Sequence, residues 1–257
     1  MAEESSVRLG AARIAVQFFE PPAVHCARTI VMLHEGLGSI EMWKQFPARL
    51  ACQTGARVLA YSRFGYGKSD ALPAPYPALE MHEKEAIEVL PALLRALSIE
   101  SPILFGHSDG ASIALIHAGN APCDVSGVIV LAPHVFVEEM CLASIERARR
   151  TFIETDLREK LAPYHDDPER AFWRWNNVWL DPAFRQWNIE HYLATIKCPV
   201  LAVQGHEDEY GTMAQLERIA CAVPNAQLLK LQACRHSPHR DQAELVLNAS
   251  RQFVSRL

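Results

Sequence analysis

Long apolar runs are missing from this 257-residue chain, and no stretch approaches the ~18 uninterrupted apolar residues that a membrane-spanning helix needs. The opening residues, Met1-Ala2-Glu3-Glu4-Ser5-Ser6, are acidic and polar. They lack the positive n-region and apolar core of a secretory signal, so a cytoplasmic location is expected. There is no basic stripe, and a net charge of −5 argues against nucleic acid or an anionic membrane as a partner. C-x-x-C pairs are also missing. The seven cysteines (Cys26, Cys52, Cys123, Cys141, Cys198, Cys221, Cys234) are scattered and odd in number, which favours a reducing compartment and small buried hydrophobes over disulfides or zinc. Internal repeats and low-complexity segments are absent. What is present, 49% hydrophobic and 21% charged residues, describes a globular chain long enough to bury a substantial core. One α/β domain with an insertion fits this length better than two equal domains.

The apolar pattern supports that reading. Two alternating stretches between Val7 and Phe19 suggest an antiparallel pair at a sheet edge. Strand patterns then follow at Arg28–Leu33, Ala56–Tyr61, Pro102–Phe105 and Val125–Leu131, separated by helical patterns near 41–53, 79–97 and from Asp109. Strands alternating with helices imply parallel βαβ units with helices on both faces of the sheet. The alternation stops between Ala132 and Lys197, where the chain is mostly helix-compatible and holds Trp173, Trp175, Trp179 and Trp187, four of its five tryptophans. It resumes with a strand at Cys198–Gln204, a helix near Thr212–Cys221, a strand at Ala226–Leu231 and a last helix from about Asp241. Residues 1–132 and 196–257 are therefore expected to form one core, with 133–195 inserted between two of its strands as a lid.

At the centre stands Gly106-His107-Ser108-Asp109-Gly110, a G-x-S-x-G sequence between an apolar strand and a helix. A serine on such a turn is held in a strained backbone that points its hydroxyl outward, the arrangement of a nucleophile elbow. Ligands of open α/β sheets bind beyond the carboxyl ends of the strands, which directs attention to four loops. These follow Leu33 (His34-Glu35-Gly36-Leu37-Gly38), Phe105, Gln204 (Gly205-His206-Glu207-Asp208) and Leu231 (Cys234 to His239). A serine nucleophile needs an imidazole base, and the base needs a carboxylate to fix its tautomer. Serine, histidine and carboxylate all occur at these strand ends. Asp208 competes with Glu207, Glu209 and Asp70 for the acid, and His236 competes chiefly with His239 for the base.

From about Val7 onward the sequence resembles the α/β-hydrolase superfamily in its serine-dependent, lidded branch. The order Ser108, Asp208, His236 is the order of that superfamily. The resemblance implies a mostly parallel, eight-stranded twisted sheet with helices on both faces. It selects Asp208 through Gly205 three positions earlier, and His236 through the x-Pro step that follows it. It further implies an oxyanion hole formed by the backbone N–H groups of Gly36 and Asp109. The chain departs from the family's His-Gly-x-x-Gly loop at Glu35, from its elbow at Ala111 and from the position before the base at Arg235. Glu35 is either a solvent-facing loop residue or an inward carboxylate that restrains the loop or disfavours anionic substrates. Trp173, Trp175, Trp179 and Trp187 either pack the lid helices against the core or line an acyl pocket, for which Trp173 and Trp179 are singled out together with Glu35 and His239. Arg174 and Arg185 are solvated cations unless one meets a substrate carboxylate.

His34, His107 and His206 sit on separate strand ends with no ligand pair on one element, so no metal is expected, and no cofactor. The glycine-containing run Ser62–Ser69 lacks the lysine placement of a P-loop and reads as a structural turn. The expected partner is a small molecule bearing an acyl group, acted on by a monomer or homodimer. The leading expectation is hydrolysis of a small carboxylic ester, lactone or thioester. The alternatives are carbon–carbon hydrolysis of a vinylogous diketone, or a slow ligand receptor on the same scaffold.

Overall fold

The computed structural model describes residues 5–71, 76–120 and 124–257. The expectations placed on Met1–Glu4 and on Cys123 lie outside these residues. The strands are β1 (Ser5–Leu9), β2 (Ala12–Phe19), β3 (Cys26–Leu33), β4 (Ala56–Tyr61), β5 (Ile103–His107), β6 (Gly127–Leu131), β7 (Val200–Gly205) and β8 (Ala226–Leu231). They form one eight-stranded sheet in the order β1-β2-β4-β3-β5-β6-β7-β8. The β1–β2 and β2–β4 pairs are antiparallel and every pairing from β4 to β8 is parallel. The expected edge pair and the mostly parallel sheet are both present.

Side chains alternate between the two faces of each strand. Ile30, Met32, Val58, Ala60, Ile103 and Phe105 pack with the helices Phe46–Thr54 and Ala243–Val254. Val31, Leu33, Leu59, Leu104 and Val130 belong to the opposite layer, with the helices Leu90–Ala96, Asp109–Asn120 and Ala214–Ala222. Both faces are thus covered, as a parallel sheet requires. The single helix expected near 79–97 is instead a succession of a 3-10 turn (Ala78–Glu80), an α turn (Met81–Lys84), a π segment (Glu85–Val89) and an α-helix (Leu90–Ala96). Pro91 has no N–H to offer the Ile87 carbonyl, and the wider π turn just upstream absorbs the missing bond.

Between β6 and β7 lie the helices Glu139–Glu154, Leu157–Leu161, Pro168–Trp179 and Glu190–Leu193. The helix Pro168–Trp179 starts where Asp167 accepts the Arg170 N–H at 2.9 Å and Pro168 occupies the first turn. Its buried face carries Phe172, Trp175, Val178 and Trp179. Among the described residues no helix is long and apolar enough to cross a membrane. Of the six described cysteines, all free, Cys141, Cys198 and Cys234 are buried, whereas Cys52 and Cys221 are exposed. Those two sit on helix faces turned to water, which corrects the expectation of burial for them.

The topology also places the site. β3 lies between β4 and β5, so the chain leaves β3 toward one edge of the sheet and later returns on its other side. The loops after β3 and β5 therefore meet where the strand order reverses, the usual location of a ligand crevice.

Candidate active site

β5 ends at His107 and a helix begins at Asp109, leaving Ser108 alone to turn the chain, at φ +53°. A left-handed serine is strained, and close packing maintains it here. A Cβ on Gly106 would lie 2.3 Å from the Gly110 carbonyl oxygen, and one on Gly110 would lie 2.1 Å from that of Leu33. Glycine at both positions lets β3, β5 and the following helix approach each other this closely. The Ser108 N–H is held by the Leu131 carbonyl at 2.9 Å.

Ser108, His236 and Asp208 come together from three strand ends. His236 Nδ1 lies 2.8 Å from Asp208 Oδ1, and His236 Nε2 lies 2.9 Å from Ser108 Oγ. With Nδ1–H donated to the carboxylate, Nε2 is left to accept the serine hydroxyl proton. Asp208 is itself anchored by the Tyr210 N–H at 2.8 Å and by Gln204 Nε2 at 3.3 Å. Burial alone would raise the Asp208 pKa, but His236 and the Tyr210 N–H outweigh it and hold the carboxyl below its usual range. Burial opposes charge on His236 too, yet Asp208, helped by Glu209 and Glu35, moves its pKa above the ordinary histidine value. The competing carboxylates have other partners. Glu207 accepts the N–H groups of Cys234 (2.8 Å) and Ala233 (3.3 Å), Asp70 pairs with Arg13, and Glu209 accepts the His236 N–H at 3.3 Å.

Gly36 borders the same cavity as Ser108, and Asp109 opens the helix that follows the serine. The first N–H groups of a helix have no partner within it, which leaves the Asp109 N–H available. The Asp109 side chain turns the other way, into the protein, where Trp179 Nε1 donates to it at 3.0 Å and Arg63 and His82 stand 3.6 and 3.4 Å away. The Gly36 loop is tied at its far side by His165, which donates from Nε2 to the Leu37 carbonyl at 3.0 Å and accepts the Gly67 N–H on Nδ1 at 2.9 Å.

A cavity of about 240 Å³ opens over Ser108. Glu35 faces it rather than bulk water, with Oε2 3.4 Å from His107 Nδ1 and Oε1 3.8 Å from Arg240. Trp179 lines the cavity, but Trp173 does not; it borders a separate pocket with Tyr76 and Arg174. The tryptophan beside Trp179 is Trp175, four residues earlier and so on the same helix face, whereas Trp173 points elsewhere. Helical spacing within Pro168–Trp179 carried that signal. His239 is also outside the cavity, packed between the rings of Trp43 and His107, each with its centroid 4.8 Å away. Sequence reasoning missed His134, Cys141, Ile145 and Tyr210 on the cavity wall, where Glu209, one of the competing carboxylates, also stands. His134 had a usable signal, since it lies in the loop after β6, one more strand end. Among the described residues no group of three or more His, Cys, Asp or Glu is placed to hold a metal ion.

A sequence model of the alpha/beta hydrolase family matches residues 30–249. The chain belongs to that family. It is 27% identical over 193 residues to the human serine hydrolase BPHL, an alignment that covers 71% of this chain and 64% of that protein's length. The fold superimposes on proline iminopeptidase from Mycobacterium smegmatis with a TM-score of 0.81 at 17% identity, covering 99% of this chain and 98% of that one. It superimposes on the enol-lactonase from Burkholderia xenovorans LB400 with a TM-score of 0.77 at 18% identity, covering 98% and 100%.

Proposed function

We propose that this protein is a serine hydrolase that cleaves a small carboxylic ester, lactone or thioester through an acyl-enzyme, with segment 133–195 as its lid. The observation that carries the reading is the continuous hydrogen-bonded chain from Ser108 Oγ through His236 to Asp208 at the floor of a cavity. In the proposed cycle Ser108 Oγ bonds to the carbonyl carbon as its proton passes to His236 Nε2. The carbonyl π pair moves onto oxygen, which the Gly36 and Asp109 N–H groups stabilise. Collapse of that intermediate breaks the bond to the leaving group, which takes the proton from His236. Water then repeats both steps on the acyl-enzyme and frees Ser108.

The family match and the resemblance to a serine hydrolase, a peptidase and a lactonase support acyl transfer as the reaction class. The cavity is small beside the ~300–1,000 Å³ of common ligand pockets, which favours short acyl groups. Its described lining includes Glu35 and Glu209 and no lysine or arginine. That opposes the carbon–carbon hydrolase alternative, whose carboxylated dienol substrate calls for a cation in the pocket.

Labelling with a fluorophosphonate followed by mass mapping, together with a panel of p-nitrophenyl esters of increasing acyl length, tests the proposal. Modification at Ser108, fastest turnover on the shortest esters and an inert but folded Ser108→Ala are expected. Labelling at another residue, or full activity in Ser108→Ala, would overturn it. Labelling at Ser108 without turnover on any ester would favour the receptor alternative.

A further inference from the structure

We propose that Arg63 is the positioning residue of the oxyanion hole, with its single guanidinium holding the peptide unit that carries the Gly36 N–H and the side chain of Asp109, the two residues whose N–H groups would receive the developing charge. The inference rests on the acyl-transfer reading above. Arg63 follows β4, and its side chain is fully buried. Its Nη2 donates to the Glu35 carbonyl at 3.0 Å and also lies 3.6 Å from Asp109 Oδ2. One nitrogen thus touches the residue before Gly36 and the residue after Ser108.

The first contact acts through the rigidity of the peptide bond. The unit joining Glu35 to Gly36 is planar and trans, so its C=O and N–H point in opposite directions and fixing one fixes the other. Three donors converge on that carbonyl: Arg63 Nη2, His34 Nδ1 at 2.7 Å and the Gly38 N–H at 3.0 Å. The His34 contact is also set by residue 63, because the Arg63 backbone N–H donates to His34 Nε2 at 2.9 Å and so assigns the ring proton to Nδ1. Burial, reinforced by the Arg63 charge, pushes the His34 pKa down to about 3 and keeps the ring in that neutral form. Held by these donors, the carbonyl fixes the direction of the Gly36 N–H on the other side of the same peptide plane, and Gly36 borders the cavity with Ser108.

The second contact restrains the elbow. Arg63, His82 and Trp179 surround the Asp109 carboxylate in the interior and hold the first residue of the helix in place. A lysine ammonium could balance the Asp109 charge, but its stem ends one bond short of the Nη2 position that touches both sites.

Arg63→Lys and Arg63→Met are to be assayed with p-nitrophenyl acetate and with a trifluoromethyl ketone, which adds Ser108 to form a hemiketal oxyanion. kcat is expected to fall roughly ten- to a hundredfold, less than or close to the loss of one donor outright. KM should stay within about twofold, and the ketone inhibition constant should rise in proportion to KM/kcat. Wild-type kcat in Arg63→Lys, or a fall in kcat with ketone affinity unchanged, would overturn the inference. If both variants fail to fold, His34→Ala removes one donor to the same carbonyl and leaves the Arg63–Asp109 pair in place. The same proportional changes then support the inference, and their absence overturns it. Full activity in Ser108→Ala would bring down the acyl-transfer reading itself, whereas unaffected Arg63 variants beside an inert Ser108→Ala bring down the Arg63 inference alone.

Discussion

Asp208 and Glu207 are neighbours with the same charge, yet the hydrogen bonds around them separate their roles. Asp208 faces His236 and Glu207 holds the backbone of the loop that carries it. Asp208→Asn is expected to cut kcat by about 10⁴, the scale set by other triads, while Glu207→Gln keeps most of the rate and loses stability instead. In the proposed cycle the base must be neutral to take the serine proton, and the pKa of His236 is raised. The acid limb of kcat/KM should therefore have its midpoint above the ~6.5 of an ordinary histidine, and removing the Asp208 charge should move that midpoint downward. A pH–rate profile of both enzymes checks this, and a wild-type limb centred below pH 6 would contradict it.

At the scale of elements, close approach rather than side-chain chemistry shapes the elbow. Gly110→Ala puts a methyl group 2.1 Å from the Leu33 carbonyl oxygen, which forces β3 and the helix Asp109–Asn120 apart. A loss of ~1–3 kcal/mol is expected from such overpacking, read as a lower urea midpoint, and an unchanged midpoint would show that the helix can shift freely. Strand and helix order was legible in the sequence because buried parallel strands leave short apolar runs between amphipathic stretches, as Ala56–Tyr61 and Val200–Gly205 do. The loops after such runs narrowed the candidates; the G-x-S-x-G pattern marked Ser108, and the resemblance to the superfamily selected Asp208 and His236 among them. The cavity wall was not legible in the same way. Whether Trp173 or Trp175 faces Ser108 depends on the rotation of a helix about its own axis, and Cys141, Ile145 and Tyr210 reach the cavity only through tertiary packing.

The whole molecule stores uncharged histidines in its interior. Burial holds His34 at a pKa of about 3 and His134 at about 4, so both are neutral in the native protein at pH 7. In the unfolded chain each takes up a proton below about 6.5. Between that value and the folded pKa the unfolded state binds more protons, and stability falls as the pH falls. At pH 5 the loss is on the order of 2 kcal/mol for each histidine. His236, with its raised pKa, opposes this trend, whereas His117, His165 and His239, whose pKa values burial also lowers, add to it. Urea titrations at pH 7 and pH 5 should show the lower midpoint at pH 5, and equal midpoints would refute the account.

The proposed nucleophile, acid and base follow β5, β7 and β8, in a fixed order along the chain. A ribosome completes the strand bearing Ser108 long before it reaches His236. On the proposed chemistry, the growing polypeptide carries Ser108 without its base until the chain has been made through His236. The same holds for any fragment cut short of β8. Such chains carry the elbow and remain chemically silent, so activity reports the presence of the segment after β8 as well as of the elbow.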